Sequence, residues 1–303
     1  MANELFYPAG LDVLGTYLGS VVDQSVETGA EEITQYASGD FMPGFVGQSK
    51  IAPGMQVDCH DISGALDLMN ESALCRDCSG GTVRAMYRGA VNRSTRAAHG
   101  ASAHSCYSLV SNALLWWESI TAQQDEEAKI EVHVDATYNG NNAPMVNLGA
   151  QTLLAAVDPV RFFTLGPVKV NGVLLNRVKS MTWKNNVGLA KESANGEEAP
   201  SYVAIDRLRP MVQVELQDLY QAAAFPPEGT VVTSLVVFLR KRRAGKINVP
   251  NGTAEHIKLE ATAGGLKFAR VSGDKASKRI EISLARPAGG GAAWSYTKNV
   301  AIS

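Results

Sequence analysis

The feature that most constrains the fold is a series of short runs in which apolar and polar residues alternate. The runs share apolar, often β-branched residues at every second position and end near turn-forming residues; they lie at 128–138, 168–173, 211–216, 257–262 and 280–284. A period of two buries one face of a strand and leaves the other in solvent. Asn171-Gly172 predicts a type I′ turn between two strands. The nearly all-apolar run 231–239 predicts a central strand.

Helical patterns are few. Residues 62–74 place apolar residues near helical spacing, with Asp61 or Ser63 as the candidate N-cap. Residues 216–224 form a second candidate helix, which ends before a Pro-Pro pair. Strands and helices do not alternate, so a doubly wound nucleotide-binding fold is not expected.

The first 60 residues mix short apolar patches with Gly and Pro. Within them, residues 11–22 predict a short helix, and the rest predicts an extended arm. The fold class that follows is mainly β: a β-sandwich or partly closed barrel with a flanking helix and an extended N-terminal arm.

A possible internal repeat bears on the domain organisation. Residues 128–140 and 233–245 each combine a strong strand with a polar tip that contains glycine. This similarity of shape suggests two related sandwiches in tandem, although a single sandwich stays open. The predicted domains are residues 1–158, which hold the arm, the cysteines and a possible first sandwich, and residues 159–303, a basic β-sandwich.

Charge divides unevenly between the two halves of the chain. Residues 1–150 contain 18 Asp or Glu and 7 Lys or Arg, whereas residues 151–303 contain 12 and 21. Copies placed with unlike halves together attract each other in a fixed orientation. Two independently solvated surfaces are the alternative.

The densest basic cluster follows the apolar run and is predicted at a hairpin tip. It consists of Arg240, Lys241, Arg242, Arg243 and Lys246. Aromatic residues do not interleave with these charges, which disfavours single-strand nucleic-acid binding by stacking. We predict contact with the acidic half of a neighbouring subunit, with a solvated tip as the alternative.

All four cysteines lie in the acidic half, and they form the candidate metal site: Cys59, Cys75, Cys78 and Cys106. Four thiolates, or three with a histidine, suit tetrahedral zinc. The spacing is not that of paired CxxC motifs, so four reduced, buried cysteines are the favoured alternative, without a cofactor. The N-terminal residues do not resemble a signal peptide, so synthesis in a cytoplasm is expected and disulfides are not.

Catalytic patterns are lacking in the sequence. The five histidines are scattered, and neither a nucleophile elbow nor a P-loop is present. We therefore do not expect an enzyme; cysteine chemistry at Cys59, Cys75 or Cys78 is the weakest hypothesis. No apolar run of about 18 residues occurs, so a membrane partner is not expected either.

The second half of the chain resembles tail tube (major tail) proteins of long-tailed bacteriophages. The similarity covers about residues 128–303 and is carried by short motifs: FTLGPVKVNG at 163–172, Gly196, PSYVAI at 200–205, Arg209-Pro210, TAEHIKL at 253–259 and GGL at 264–266. Residues 1–127 show no such similarity, and their cysteine-bearing stretch departs from the family pattern.

The resemblance implies a structural role in the virion tail. Proteins of this family join β-sandwiches edge to edge into rings, and the rings stack into a tube through which viral DNA passes. The expected partners are copies of the chain itself, other tail proteins, and DNA in the lumen without sequence specificity. Two sandwiches per chain would require a homotrimeric ring, and one would require a homohexamer. A distal tail or capsid decoration protein, or a zinc-stabilised binding module, are the alternative functions.

Overall fold

The structure is a computed structural model that describes residues 5–36, 38–39, 41–69, 74–92, 97–98, 104–109, 112–138, 143–149, 162–194, 196–217, 229–243, 248–272 and 277–303. These residues form antiparallel strands and one short helix, which confirms the mainly β, sandwich-like fold with a flanking helix. The sheets of this described part do not close into a barrel.

The elements of the first half of the chain are, in order, β1 (Leu5–Val13), β2 (Thr16–Leu18), β3 (Val21–Glu27), β4 (Glu31–Tyr36), β5 (Pro43–Lys50), β6 (Gly54–Cys59), α1 (Ile62–Leu68), β7 (Cys75–Asp77), β8 (Val83–Asn92), β9 (Ala97–Ala98), β10 (His104–Leu109), β11 (Asn112–Gln123), β12 (Lys129–Thr137) and β13 (Met145–Asn147). Asp61 caps α1, because its carboxylate accepts a hydrogen bond from the Gly64 N–H at 2.9 Å. The helix ends at Leu68 and is shorter than the pattern predicts.

In its described part, the second half consists of strands and has no helix. They are β14 (Phe163–Val170), β15 (Val173–Leu175), β16 (Val178–Lys184), β17 (Val187–Glu192), β18 (Tyr202–Leu208), β19 (Met211–Leu216), β20 (Thr230–Val232), β21 (Leu235–Lys241), β22 (His256–Ala261), β23 (Gly264–Ser272), β24 (Ser277–Leu284) and β25 (Ser295–Val300). The alternating runs at 128–138, 211–216, 257–262 and 280–284 are thus confirmed as strands.

The two halves have the same strand order. The first contributes the sheet β13-β10-β8-β1-β2, and the second the sheet β25-β22-β21-β14-β15. A further sheet, called here the shared sheet, runs β3-β6-β12-β11 through the first half and continues as β16-β19-β24-β23 through the second. β7 pairs with β11 just as β20 pairs with β23. We therefore call residues 5–149 the first repeat and residues 162–303 the second.

Local irregularities recur at equivalent places. The pairing of β11 with β12 shifts between Trp117 and Ser119, and that of β23 with β24 shifts between Phe268 and Arg270. Since bulges are positional features of a sheet, their recurrence fixes which residues of the repeats correspond.

The turns correspond as well. Leu14 and Gly15 have φ of 53° and 82°, and Asn171 and Gly172 have φ of 50° and 79°. Positive φ at both central residues defines the type I′ turn that the sequence predicts at Asn171-Gly172.

A continuous hydrophobic core links the repeats. Trp117 of the first repeat and Trp183 of the second are both fully buried, and both pack edge-on against Trp294, with ring centroids 5.0 and 6.0 Å away. Aromatic pairs at these separations add stabilisation beyond that of their buried area.

Several predictions for the N-terminal region are wrong. Residues 11–22 lie mainly in strands, because Leu11, Val13 and Leu18 turn inward from β1 and β2 into the core. Most of the predicted arm is likewise built into sheets, and only the hairpin β4–β5 stands apart from them. The burial of alternate side chains explains why apolar spacing there did not mean a helix.

The predicted repeat had the wrong correspondence. β12 corresponds to β24, not to the run that begins at residue 233, and β21 corresponds to β8. The apolar run 231–239 is two strands, β20 and β21, in different sheets, while β21 is central in its sheet as predicted. The predicted helix at 216–224 begins at the last residue of β19, and most of it lies outside the described residues, as does the boundary after residue 158.

Candidate assembly surfaces

The repeats meet within the shared sheet, at a pairing that we call the junction. Residues Ser119–Gln123 of β11 lie antiparallel to residues Ser180–Lys184 of β16, with fully buried Ile120 opposite fully buried Trp183. Buried Asn185 extends the pairing: its backbone N–H donates to the Glu118 carbonyl at 2.8 Å, and its side-chain amide donates to the Trp117 carbonyl at 3.0 Å.

The β1 side of the first repeat shows the same surface uncovered. At the junction, Phe163 is 4% exposed, and its carbonyl accepts a hydrogen bond from the Ala128 N–H at 2.7 Å. Phe6, the equivalent residue of β1, is 46% exposed. The repeats thus present the same residue type at one position, covered in one case and open in the other.

One end of the shared sheet is the edge strand β3, the counterpart of β16. Among the described residues no strand pairs with its outer side. Val22 is 53% exposed there. An unpaired edge of seven residues is a template for another strand.

The other end is β23, the counterpart of β11. Its first residues, Gly264–Leu266, pair with β20. Beyond them, Arg270–Ser272 have no strand on that side within the described part of the chain. In the first repeat the equivalent residues, Ser119–Thr121, are the ones that pair with β16.

The face of the shared sheet that points away from the core is polar, and its charges are largely paired. Two ion pairs on this face join neighbouring strands, Lys129–Asp58 at 2.8 Å and Lys267–Glu281 at 3.2 Å, and His133 Nε2 lies within hydrogen-bond distance of Glu131, at 3.1 Å. The hydrogen bond to Asp58 raises the pKa of Lys129, and the one with His133 lowers the pKa of Glu131. Such a surface offers few unpaired cations to a phosphate backbone, which nucleic-acid binding depends on.

The four cysteines do not form a metal site in the described structure. Cys59 lies in β6, Cys75 and Cys78 in and after β7, and Cys106 in β10 of a different sheet, all of them buried and unbridged. Among the described residues no three His, Cys, Asp or Glu side chains gather as metal ligands. Burial raises the pKa of Cys59 and Cys106, and that of Cys78 to about 11. The zinc prediction therefore gains no support, and a raised pKa makes the Cys59, Cys78 and Cys106 thiols poor nucleophiles.

The basic cluster is partly engaged within the chain. Lys241 pairs with Glu255 at 2.8 Å, and the Arg242 guanidinium donates to the Asp125 carbonyl of the first repeat at 3.4 Å. Arg240 and Lys241 lie in β21, whereas Arg243 follows it. Lys246 and the predicted tip lie outside the described residues. Contact with a neighbouring subunit thus stays a prediction for this cluster.

The sequence patterns did not indicate the open edges of the shared sheet, although they contain signals for the repeat. The type I′ turns at residues 14–15 and 171–172, and Pro53 and Pro210 before β6 and β19, recur at equivalent positions. The interval between them indicates a repeat of about half the chain. The first turn is hard to predict from the sequence, because Leu14 occupies a position with positive φ, where leucine is rare.

No protein-family model matches the chain, and no curated protein matches it. In the part of the chain that the structure describes, no helix has the length and apolar character needed to cross a membrane.

Proposed function

We propose that this chain is a structural subunit that assembles into rings by strand pairing, and that the rings stack into a bacteriophage tail tube. β3 of one copy pairs with β23 of the next, and this contact repeats around the ring. The virion tail is the site of action, after synthesis in the bacterial cytoplasm, and other tail proteins meet the ends of the tube.

The observation that carries the proposal is the junction. A β11-type strand of one repeat already pairs with a β16-type strand of the next repeat inside the chain. Among the described residues, the shared sheet also ends in an unpaired copy of each partner, β3 and the outer part of β23. Joining these ends repeats a contact that the molecule already makes, and head-to-tail contacts of this kind form rings where the rotation from copy to copy closes.

The register of the new pairing follows from the junction, and its chemistry is complementary. Ser119 lies opposite Lys184 at the junction, which places Arg270 opposite Glu27 between copies. The next two positions place Val271 opposite Val26, and Ser272 opposite Ser25. Opposite charges and paired β-branched residues both stabilise antiparallel strands.

The number of copies follows from the repeat together with the tail-tube resemblance. That resemblance implies six sandwich units in a ring, and each chain supplies two repeats. We therefore propose a homotrimer. Its shared sheets form one continuous wall without free edges, and the polar face lines the lumen. Paired charges on that face let DNA pass without sequence specificity or strong retention.

The test measures the mass and the shape of the purified protein. A trimer of about three times 32.3 kDa in light scattering, with rings or tubes in negative-stain microscopy, supports the proposal. A monomer at every concentration and salt level, with no rings or tubes, overturns it.

A disulfide scan tests the register. Ser25→Cys with Ser272→Cys places cysteines at directly opposed positions, where Cα atoms lie about 4.5–5.5 Å apart, a separation that a disulfide spans. Mild oxidation is expected to yield covalent trimers. The control pairs Ser25→Cys with Arg270→Cys, a diagonal spacing of about 7–8 Å that a disulfide spans poorly. Equal cross-linking of both pairs would reject this register.

A further inference from the structure

Within the part of the chain that the structure describes, the hairpin β4–β5 packs little against other elements. All six residues of β4 are exposed, and no other described element packs extensively against the hairpin. Its exposed large apolar side chains are Ile33, Tyr36, Phe41, Met42, Phe45 and Val46. A soluble chain rarely leaves such a group of side chains in water unless they bind something.

The equivalent hairpin of the second repeat, β17–β18, is docked. It crosses the junction and lies over the ends of β11 and β12. Lys191 forms a 2.6 Å ion pair with Asp135, and the Tyr138 N–H donates to the Pro200 carbonyl at 2.7 Å. Val203 helps to line a groove against Asp77 and other first-repeat residues.

The two hairpins can be aligned residue by residue. The pairing shifts between Gly188 and Leu189 in one hairpin and between Glu31 and Glu32 in the other. Counting from these shifts, Thr34 takes the place of Lys191. The residue opposite, Val46, then takes the place of Val203.

We propose that β4–β5 of one copy docks on β20, β23 and β24 of the next copy, just as β17–β18 docks within the chain. The inference rests on the proposed function, since β3 must first pair with the neighbour's β23. Thr34 and Val46 share the face that turns toward the neighbour.

The receiving surface is open and complementary. On the second repeat, Val231 stands where Asp77 stands on the first, and it is 74% exposed. Gly265 replaces Leu114, and a Cβ added to it would meet nothing within 4 Å, so the hairpin has room to approach.

Charge favours a second copy of this chain as the occupant. Glu31 and Glu32 of the hairpin are exposed, and Lys267 on the receiving face, which pairs with Glu281 at 3.2 Å, still has a side chain that is 64% exposed. At the junction, Lys191 of the hairpin pairs with Asp135 of the receiving face. Between copies the arrangement is reversed, with acidic residues on the hairpin and a lysine on the receiving face. Complementary charges set the orientation and the partner.

A pair of matched substitutions tests the docking face. Val46 and Phe45 are neighbours, each 55% exposed, on opposite faces of β5. A Cβ at Gly47 would lie 2.7 Å from the Phe45 ring. The Phe45 ring therefore lies over Gly47, on the face of the hairpin opposite to that of Val46. Val46→Asp is expected to raise the trimer dissociation constant by about tenfold or more, and Phe45→Asp by much less.

Cross-linking supplies a second measurement. Thr34→Cys with Ser283→Cys corresponds to the Lys191–Asp135 contact, because Ser283 occupies the place of Asp135. A short bismaleimide is expected to give covalent trimers with the double variant. Wild type, whose described cysteines are buried, serves as the control.

The outcomes separate this inference from the proposed function. Trimers that survive Val46→Asp unchanged, without cross-links between residues 34 and 283, overturn the hairpin docking and leave the β3–β23 pairing standing. Equal weakening by Phe45→Asp overturns the assigned face. A wild-type chain that stays monomeric removes both proposals.

Discussion

The junction and the open edges of the shared sheet are built from equivalent strands, but only the junction is covered. At the junction Phe163 and Trp183 are buried, whereas the equivalent residues of the first repeat, Phe6 and Val26, remain accessible. The docked hairpin β17–β18 and the exposed hairpin β4–β5 differ in the same way. A tandem repeat in one chain thus contains both a formed strand pairing and an equivalent pair of strand edges that is still open. The geometry of the formed pairing is the model for the proposed one.

The comparison also explains the uneven charge. The first repeat presents Glu27, Glu31 and Glu32 on β3 and its hairpin, whereas the second presents Lys267 and carries Arg270 at its opposite end. Like repeats would meet with like charges. Because the two repeats have diverged in sign, the charged residues of the proposed contacts meet residues of unlike charge, which favours alternation of first and second repeats around a ring.

The largest expected effect contrasts the two equivalent phenylalanines. Phe163→Ala removes a buried ring at the junction and is expected to lower the free energy of unfolding by about 3–5 kcal/mol. Phe6→Ala removes a half-exposed ring and is expected to cost the monomer less than about 1 kcal/mol, while weakening the trimer. Urea unfolding at dilute concentration measures the first quantity, and light scattering the second. Similar losses of unfolding free energy in Phe163→Ala and Phe6→Ala would contradict the assignment of Phe6 to an uncovered copy of the junction surface.

A smaller effect contrasts the positions on which the two hairpins dock. Asp135 accepts hydrogen bonds from Trp116 Nε1 at 2.8 Å and from Lys191 Nζ at 2.6 Å. Asp135→Ala leaves both donors without this acceptor and is expected to cost about 2–3 kcal/mol in the free energy of unfolding. Ser283→Ala, at the equivalent position, is expected to change the monomer little. Thermal unfolding compares them, and a neutral Asp135→Ala would show that the junction does not depend on this contact.

The sequence predicted the strands well where one face is buried and the other is solvated. The runs that became β12, β19, β22 and β24 alternate clearly, and Asn171-Gly172 specifies its turn by backbone chemistry alone. Alternation failed at residues 11–22, where Gly and Leu obscure it and the spacing of leucines imitates a helix. Which strands pair, and which edges stay open, depends on contacts distant in the chain, so local patterns do not contain that information.

The candidate sites illustrate the same limit. The basic cluster around Arg240 and the four cysteines were predicted as sites because residues of one type lie close together in the sequence. In the structure Lys241 pairs with Glu255, while Cys59 and Cys106 lie in different sheets. The proposed pairing surfaces, β3 and the outer part of β23, carry ordinary residues. Their significance comes from the unpaired backbone, which only the topology reveals.

The smallest expected effect concerns a position at which the repeats differ in charge. Glu131 of β12 and Arg279 of β24 are equivalent. The hydrogen bond with His133, followed by that from Ser119, holds the pKa of Glu131 below its ordinary value of 4.5. A lowered folded-state pKa means that the carboxylate stabilises the fold above about pH 4.5 and that this contribution fades as the pH falls through the folded-state pKa.

Glu131→Gln therefore separates the two repeats by their response to acid. The variant is expected to lose less than about 1 kcal/mol of unfolding free energy at pH 7, and this deficit is expected to shrink as the pH falls below about 4.5. Arg279→Gln, the control at the equivalent position, removes a group that stays charged throughout this range, so its difference from wild type should vary with pH less than that of Glu131→Gln. Urea unfolding between pH 3 and 7 measures both series. A Glu131→Gln deficit that persists unchanged at pH 3 would assign the loss to altered packing instead of to the carboxylate charge.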